Sequence, residues 1–381
     1  MLYIIGITPN KIGGVERFAR ELAIQMRESD WKLVLCFEAA PTERIRQFFD
    51  TSNVVFEVIG KQSVFGIKQC LRLTSLIFRY RPAVLVYAFN GVLRPIPWIG
   101  TLLGVKTIFY NDHSSRPFLA TQATTRSWKH ILGRLITSPL DGVICVSDFV
   151  SQCVRQEQWV RSDKIHTIYS GVALDRAQPR GAVQVQATRF RKTFGIPEDR
   201  QIVLKVSWLV PEKGIDTFLE TARLVVASAP LTHFVIVGAG HFLDEYRTLS
   251  RKLGIENHVS WTGALEDPIQ DGAFAAAQVV CQLSTWQEAF GFTIVEAMSC
   301  GIPVIATKTG GIGEIVRDSA NGFLVPINDP DSTSERILRL LRDDSLREKM
   351  GHAAQSDVKQ VFDVRDTTRR YLRCLGIAPP N

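Results

Sequence analysis

Short apolar runs rich in β-branched residues recur along the whole chain and alternate with longer amphipathic stretches. Continuous apolar strands separated by helices are typical of parallel sheets that helices cover on both faces. The runs fall into two series, so the sequence predicts two doubly wound α/β domains rather than one. The predicted strands are residues 2–7, 33–37, 54–59, 83–89, 106–110, 142–146 and 165–169 in the first series, and 202–206, 233–237, 259–262, 278–283, 303–306 and 322–325 in the second.

A polar stretch between residues 175 and 197 separates the two series. It carries proline and glycine and has no strong period, so we predict an irregular linker there. We therefore expect an N-terminal domain at 1–185, a C-terminal domain at 186–360 and a final segment at 361–381. Ligands of open α/β sheets bind beyond the carboxyl ends of the strands, so the expected site lies at those ends, in the cleft between the two domains.

The densest chemical signal lies between residues 288 and 316. Glu288 is placed in a predicted loop and Glu296 on the helix that follows it. Gly291 lets backbone amides approach a ligand closely, and the helix that begins near Phe292 directs its free N–H groups at the same loop. Two carboxylates beside such a phosphate site suit the hydroxyl groups of a sugar and a ribose.

The spacing of these residues resembles that of the retaining glycosyltransferases of family four. The resemblance rests on Glu288 and Glu296, on Gly301-x-Pro303 and on the Gly-Gly-x-x-Glu sequence that ends at Glu314. Further matching segments are 13–17, 210–216, 237–240, 259–263 and 361–375, so the resemblance extends over nearly the whole chain. It implies the GT-B fold, in which two Rossmann-like doubly wound parallel-sheet domains face each other across a cleft and the last helix crosses back onto the first domain.

The resemblance also implies a site for a nucleotide diphosphate sugar. Glu288 and the amides after it would hold the sugar, Glu296 the ribose, and Lys213 would neutralise the diphosphate. His113 matches a cleft histidine near the transferred sugar, so the implied catalytic residues are His113, Lys213 and Glu288. The implied donor-binding residues are Gly13, Gly14, Lys213, Gly263, Glu288, Phe290, Gly291, Phe292 and Glu296. The implied reaction is transfer to an acceptor hydroxyl with retention of configuration, in cell-surface polysaccharide or glycolipid synthesis, with no metal or other cofactor.

One position departs from the family pattern. The family usually has Gly-Arg-Leu where this chain has Ser-Trp-Leu at 207–209, and that arginine contacts the diphosphate. Either Lys213 and backbone amides then suffice, or another cation such as Arg17 or Lys308 substitutes. Lys205 is close in sequence, but strand alternation directs it to the opposite face from the tryptophan.

Two other hypotheses remain open beside the transferase. The first is an epimerase or a phosphorylase of the same fold. The second is a non-catalytic nucleotide-sugar-binding protein, which Trp208 suggests because its side chain cannot neutralise a phosphate. Other classes fit less well: the Gly-x-Gly-x-x-Gly of dinucleotide enzymes is broken at Leu243, a phosphate-binding Gly-x-x-x-x-Gly-Lys loop and zinc-ligand spacing are absent, and we expect no nucleic-acid partner.

The net charge of +7 is unevenly placed. Residues 59–140 contain eleven Lys and Arg and one acid, a net +10, whereas the rest of the chain sums to −3. The excess favours an anionic partner, so we expect an anionic membrane surface or a lipid-linked acceptor at Lys68, Arg72, Arg126 and Lys129. The alternative interpretation is that these cations form the solvent face of helices whose opposite sides, such as Trp128 and Leu132, pack on the sheet.

The sequence also bears on cellular location. The chain opens directly on an apolar strand pattern with no basic leader, and no apolar run is long enough to cross a bilayer. The seven cysteines are scattered singly, which suits reduced thiols. We expect a cytoplasmic protein that associates peripherally with the inner face of the cell membrane.

Overall fold

A computed structural model describes residues 1–61, 66–115, 127–176 and 180–378 of the chain. The chain divides into two compact units. Unit 1 comprises Met1–Gly171 with the segment from Val364 onward, and unit 2 comprises Val172–Asp363. The expected boundary at residue 185 would cut through a helix that the structure places wholly in unit 2.

Unit 1 is built on a seven-stranded parallel sheet in the order β3-β2-β1-β4-β5-β6-β7. The seven predicted strands of the first series are confirmed, with ends that differ by one or two residues. They are β1 (Leu2–Ile5), β2 (Leu33–Phe37), β3 (Val54–Val58), β4 (Val84–Ala88), β5 (Thr107–Asp112), β6 (Gly142–Cys145) and β7 (Ile165–Thr167). The helices are α1 (Gly14–Glu28), α2 (Glu43–Phe48), α3 (Ile67–Tyr80), α4 (Ile96–Leu102), α5 (Ser127–Thr137) and α6 (Asp148–Glu157).

A helix from the far end of the chain completes unit 1. This helix packs against α1, and the Tyr371 ring meets the Phe18 ring edge-on at 5.0 Å between centroids. The Asn111 amide at the end of β5 donates hydrogen bonds to the hydroxyls of Tyr3, at 3.0 Å, and Tyr371, at 3.4 Å. These groups are buried, so the network fixes the helix on the sheet. Its bounds are Val364–Cys374, and it is α15 in chain order.

Unit 2 is built on a six-stranded parallel sheet in the order β10-β9-β8-β11-β12-β13. All six predicted strands are confirmed, as β8 (Gln201–Val206), β9 (Thr232–Val237), β10 (Val259–Gly263), β11 (Val279–Gln282), β12 (Val304–Thr307) and β13 (Gly322–Val325). The remaining helices are α7 (Arg180–Phe194), α8 (Ile215–Ser228), α9 (Leu243–Lys252), α10 (Ala273–Ala276), α11 (Phe292–Ser299), α12 (Ile312–Ile315), α13 (Pro330–Arg342) and α14 (Asp344–Val361). Because β8 and β11 are neighbours, the loops that follow them emerge side by side at their carboxyl ends.

The irregular linker predicted between residues 175 and 197 is wrong for most of its length, because α7 occupies residues 180–194. Ala187 and Phe190 are buried, and the helix packs against α10. Ala187 and Phe190 are three residues apart, as on one side of a helix. The half-buried Gln186 lies on the same side, so the apolar residues do not show a clear helical pattern in the sequence. The short 3-10 turn Leu174–Arg176 precedes the helix.

Candidate active site

Two side chains that are far apart in sequence meet at the carboxyl ends of β8 and β11. Lys213 ends a 3-10 turn that precedes α8, and Glu288 lies in the loop between β11 and α11. The Lys213 Nζ lies 2.5 Å from the Glu288 Oε1. The loops are also joined by their backbones, since the Thr285 N–H donates to the Glu212 carbonyl at 2.9 Å. The structure thus brings together the residue that the resemblance assigned to the donor sugar and the residue that it assigned to the diphosphate.

The Glu288 carboxylate is held by neutral donors as well as by the lysine. Its Oε1 accepts a hydrogen bond from the Ser284 Oγ at 2.5 Å and a longer one from the Gln282 Nε2 at 3.4 Å. The Glu288 side chain is largely buried, whereas about a quarter of the Lys213 side chain is exposed. A carboxylate held this firmly is preorganised, and the ammonium beside it remains accessible to an anion.

Two glycines allow the Glu288 loop to approach its neighbours. Gly214 and Gly310 have φ values of 64° and 52°, in the left-handed region. A Cβ on Gly214 would lie 1.9 Å from the Leu283 carbonyl oxygen, and one on Gly310 would lie 2.2 Å from that of Glu288. The Gly311 N–H also donates to the Glu288 carbonyl at 2.8 Å. The Gly-Gly pair of the motif therefore supports the loop that carries the carboxylate.

The second motif glutamate belongs to a separate ionic network in unit 2. The Arg176 guanidinium donates to the Glu296 Oε1 at 3.0 Å through one terminal nitrogen and to the Asp267 Oδ1 through the other. Arg176 is buried, so it holds Glu296 in a fixed orientation on α11. Neither Arg176 nor Asp267 was predicted from the sequence, because no local pattern links them to Glu296.

The remaining donor-site candidates in unit 2 are placed by backbone and core packing. Phe290 is buried and packs its ring edge-on against those of Phe292, at 5.3 Å, and Phe362, at 5.7 Å, so only its backbone is suited to meet a ligand. Gly291, with φ 131°, is the N-cap of α11. Gly263 ends β10, and its carbonyl accepts a hydrogen bond from the Gly238 N–H at 2.9 Å.

The candidates in unit 1 lie at the ends of β1 and β5. Gly13 is the N-cap of α1, and its N–H donates to the Glu16 Oε2 at 2.8 Å, so this amide already holds a carboxylate; Gly14 begins the helix. The His113 ring follows β5 and stacks on the Phe89 ring at 4.8 Å. Burial lowers the pKa of His113 to about 4, against the opposing charge of Asp112, so the imidazole is neutral near pH 7.

Comparisons with known proteins identify the family. The model of the glycosyltransferase family 4 domain matches residues 12–176, and that of glycosyl transferases group 1 matches residues 186–357. HepE of Anabaena, solved with UDP and glucose, aligns over 98% of this chain and 99% of its own with a TM-score of 0.78 and 22% identity. The two halves of the chain therefore match two glycosyltransferase families, and the chain has the GT-B fold.

Other proteins resemble this chain with lower sequence identity or over a smaller share of its length. A glycosyltransferase from Rickettsia africae aligns over 98% of this chain and 97% of its own, with a TM-score of 0.83 and 19% identity. The lipopolysaccharide core biosynthesis glycosyltransferase LpsE of Rhizobium meliloti is 26% identical over 63% of this chain and 65% of its own. The chain spans about three fifths of the length of the first curated relatives that it matches.

This GT-B protein has Trp208 where the family pattern has an arginine, and the Trp208 side chain is largely exposed after β8. Lys205, on β8, is completely buried. The Lys205 Nζ lies 5.7 Å from the centre of the Phe218 ring and has no hydrogen-bond partner among the described residues. Burial lowers the pKa of Lys205 to about 7; Lys213 adds to this shift, whereas Cys281 and Glu288 oppose it.

The cations that the sequence assigned to a membrane face have different environments in the structure. Lys68 and Lys129 are exposed, whereas the Arg72 guanidinium lies 2.7 Å from a carboxylate oxygen of Glu57 on β3. Arg126 lies outside the described residues. Within the described parts of the chain, none of the helices is both long and apolar enough to cross a membrane.

Proposed function

We propose that the protein transfers a sugar from a nucleotide diphosphate donor to an acceptor hydroxyl, with retention of configuration. The observation that carries the proposal is the Lys213–Glu288 pair, preorganised at the carboxyl ends of adjacent strands beside the amino end of α11. HepE of Anabaena was solved with UDP and with UDP-glucose, which supports a nucleoside diphosphate donor here. A curated relative from Corynebacterium glutamicum is a GDP-mannose-dependent mannosyltransferase. The experiment must therefore test donors that differ in the nucleotide base and in the sugar.

The chemistry follows from where charge develops. Departure of the nucleotide leaves positive charge on the anomeric carbon and negative charge on the terminal phosphate. Lys213 and the free N–H groups at the start of α11 would stabilise that phosphate, and Glu288 would hold the sugar hydroxyls. The departing phosphate would take the proton of the acceptor hydroxyl, so a second carboxylate as in glycosidases is not needed. We propose that lysine and backbone donors supply the positive potential and that no metal is required.

The acceptor is proposed to be a growing cell-surface polysaccharide or a glycolipid. The relative LpsE is involved in lipopolysaccharide core biosynthesis, and the Corynebacterium relative acts on a phosphatidylinositol mannoside, which supports this class. We accordingly propose a cytoplasmic enzyme at the inner face of the membrane. The test is an assay of sugar transfer and nucleotide release with extracted lipid and polysaccharide acceptors; transfer that requires one of these acceptors would support the proposal.

Three other functions are alternatives to sugar transfer, and a panel of donor compounds separates them. An epimerase would convert the nucleotide sugar without an acceptor, and a phosphorylase would use free phosphate. A binding protein, which Trp208 favours, would hold the nucleotide sugar without turnover. A thermal-shift panel of nucleotide diphosphates and their sugars, followed by turnover assays with each stabilising compound, distinguishes all of these outcomes.

Glu296→Ala is expected to weaken binding of the nucleotide diphosphate by roughly 10- to 150-fold, because ribose hydroxyls lose a charged acceptor worth about 1.5–3 kcal/mol. Arg176 keeps its contact with Asp267, so the fold should persist. Calorimetry with the bare nucleotide diphosphate measures the loss, and Glu348→Ala, at an exposed position on α14, is the matched control. Glu288→Ala should act mainly on turnover and sugar choice. Equal nucleotide affinity in wild type and Glu296→Ala would refute the ribose assignment.

A further inference from the structure

The exposed large apolar side chains of the described residues are concentrated on three consecutive helices of unit 1. Nine of the sixteen such side chains lie on α3, α4 and α5, and they are between 43% and 79% exposed. On α3 they are Ile67, Leu71 and Phe78, and on α4 they are Trp98 and Leu102. Scattered single residues of this kind are ordinary, but a contiguous group marks an interaction surface.

The helix α5 contributes the rest of this surface. Trp128, Ile131, Leu132 and Leu135 are spaced to lie on one side of the helix, and all four are exposed. This corrects the sequence-based interpretation that they pack on the sheet. The Trp98 Nε1 donates to the Leu135 carbonyl at 3.2 Å, and α4 packs against both α3 and α5. We call the nine side chains on these three helices the apolar face.

The charged residues on the three helices of the apolar face are all of one sign. None of the three helices contains an acidic residue. Exposed Lys68, Lys129 and Arg134 lie on the same helices as the apolar side chains. Exposed tryptophans with neighbouring lysines are the side chains that settle at the boundary between lipid tails and headgroups.

We propose that the apolar face docks unit 1 onto the surface of an anionic bilayer by inserting its side chains among the lipid headgroups. The inference rests on the proposed function, because it gives the enzyme access to an acceptor anchored in lipid. A second copy of the chain is a poorer occupant, since a symmetric pairing would bring the same cations together. An anionic lipid surface complements both the apolar area and the charge.

Insertion leads to a different expectation from charge attraction alone. Arg72 and Arg79 on α3 both contact Glu57, at 2.7 Å and 3.1 Å, so part of the positive charge is already compensated within the protein. Attraction between exposed charges is screened at high salt, whereas burial of apolar side chains is not. Docking by the apolar face should therefore retain a component that salt does not remove.

The test is sedimentation of the full chain with vesicles of phosphatidylcholine, with and without phosphatidylglycerol, at low salt and at about 0.5 M salt. Ile131→Ser with Leu132→Ser should lower the partition coefficient by about 10-fold or more at both salt concentrations, because two inserted side chains are lost. Lys68→Gln with Lys129→Gln should lower binding mainly at low salt. The matched control is Val185→Ser with Leu231→Ser, which changes exposed apolar side chains of unit 2 and should bind as wild type does.

Three other outcomes would contradict the proposal, each in a different way. Binding that high salt abolishes completely would overturn insertion in favour of electrostatic adsorption. Equal binding by Ile131→Ser/Leu132→Ser and wild type would show that the face is not the contact, and a dimer in light scattering that these changes dissociate would assign the face to a second copy. Calorimetry with UDP and GDP on the same variants separates this inference from the proposed function, since nucleotide binding should be unchanged whether or not docking occurs.

Discussion

Replacing Lys213 with alanine is expected to lower the turnover of sugar transfer by about 100-fold or more, because it removes a donor at the developing negative charge. The loss should be larger than in relatives that keep an arginine after the first strand of the second unit, since Trp208 here cannot share the charge. The Lys213 Nζ lies 2.5 Å from the Glu288 Oε1, so its removal leaves Ser284 and Gln282 as the hydrogen-bond donors to that carboxylate among the described residues. We expect kcat to fall more than the affinity for the donor.

Turnover is measured as nucleotide release and sugar transfer in wild type, Lys213→Ala and Lys213→Ala/Trp208→Arg. The second change restores the family's arginine beside the site and should recover part of the activity. Lys252→Ala, at an exposed lysine at the end of α9, is the matched control and should be active. Near wild-type turnover in Lys213→Ala would mean that the diphosphate is held elsewhere. A wild type that binds the donor but turns over with no acceptor would favour the binding-protein alternative.

The second large effect is one of stability. Lys205→Met is expected to stabilise unit 2 by on the order of 4 kcal/mol at pH 7, because the folded protein lowers the pKa of this buried amine from 10.5 to about 7. Methionine has a similar length and fills the space beside Phe218 without a charge to desolvate. The midpoint of the unit 2 unfolding transition should rise by roughly 8 °C or more.

The pH dependence of the stability difference shows whether the lowered pKa of Lys205 is its cause. Between pH 7 and 10.5 the unfolded chain holds a proton on Lys205 that the folded chain has released, so wild-type stability rises with pH across this window. The advantage of Lys205→Met should therefore shrink as pH rises and vanish above 10.5. Calorimetric scans at several pH values measure the difference, with the exposed Lys252→Met as control. A variant no more stable than wild type at pH 7 would show that the amine is hydrated in the folded state.

The strands could be predicted from the sequence because parallel strands covered on both faces must be apolar along their whole length. Helices were less certain. The inward side of α7 includes Gln186, so the apolar period was too weak to recognise, and α5 was misinterpreted in a different way. Its amphipathic pattern was recognised correctly, but a pattern alone cannot say whether the apolar side faces the sheet or the outside, which only the neighbouring elements decide.

The site was predictable where its parts lie within one local motif. Glu288, Gly291 and Glu296 are close in sequence, and Lys213 follows a strand end. The ionic partners of Glu296 could not be found in this way, because Asp267 is separated from α11 by α10 and β11, and Arg176 by four helices and four strands. Likewise, the burial of Lys205 could not be predicted from its strand, because it depends on α8, whose Phe218 ring lies 5.7 Å from the Lys205 Nζ.

The order in which unit 1 is assembled has a consequence for synthesis on the ribosome. Its sheet is complete by Thr167, yet α15 follows the whole of unit 2 in the chain. Until α15 is made, Phe18 and the buried amide of Asn111 lack the ring and hydroxyl of Tyr371. Unit 2 is contiguous and can fold as it emerges, whereas unit 1 must wait, partly open, for its last helix. Nascent chains that stall within unit 2 would expose this unfinished surface to chaperones and proteases.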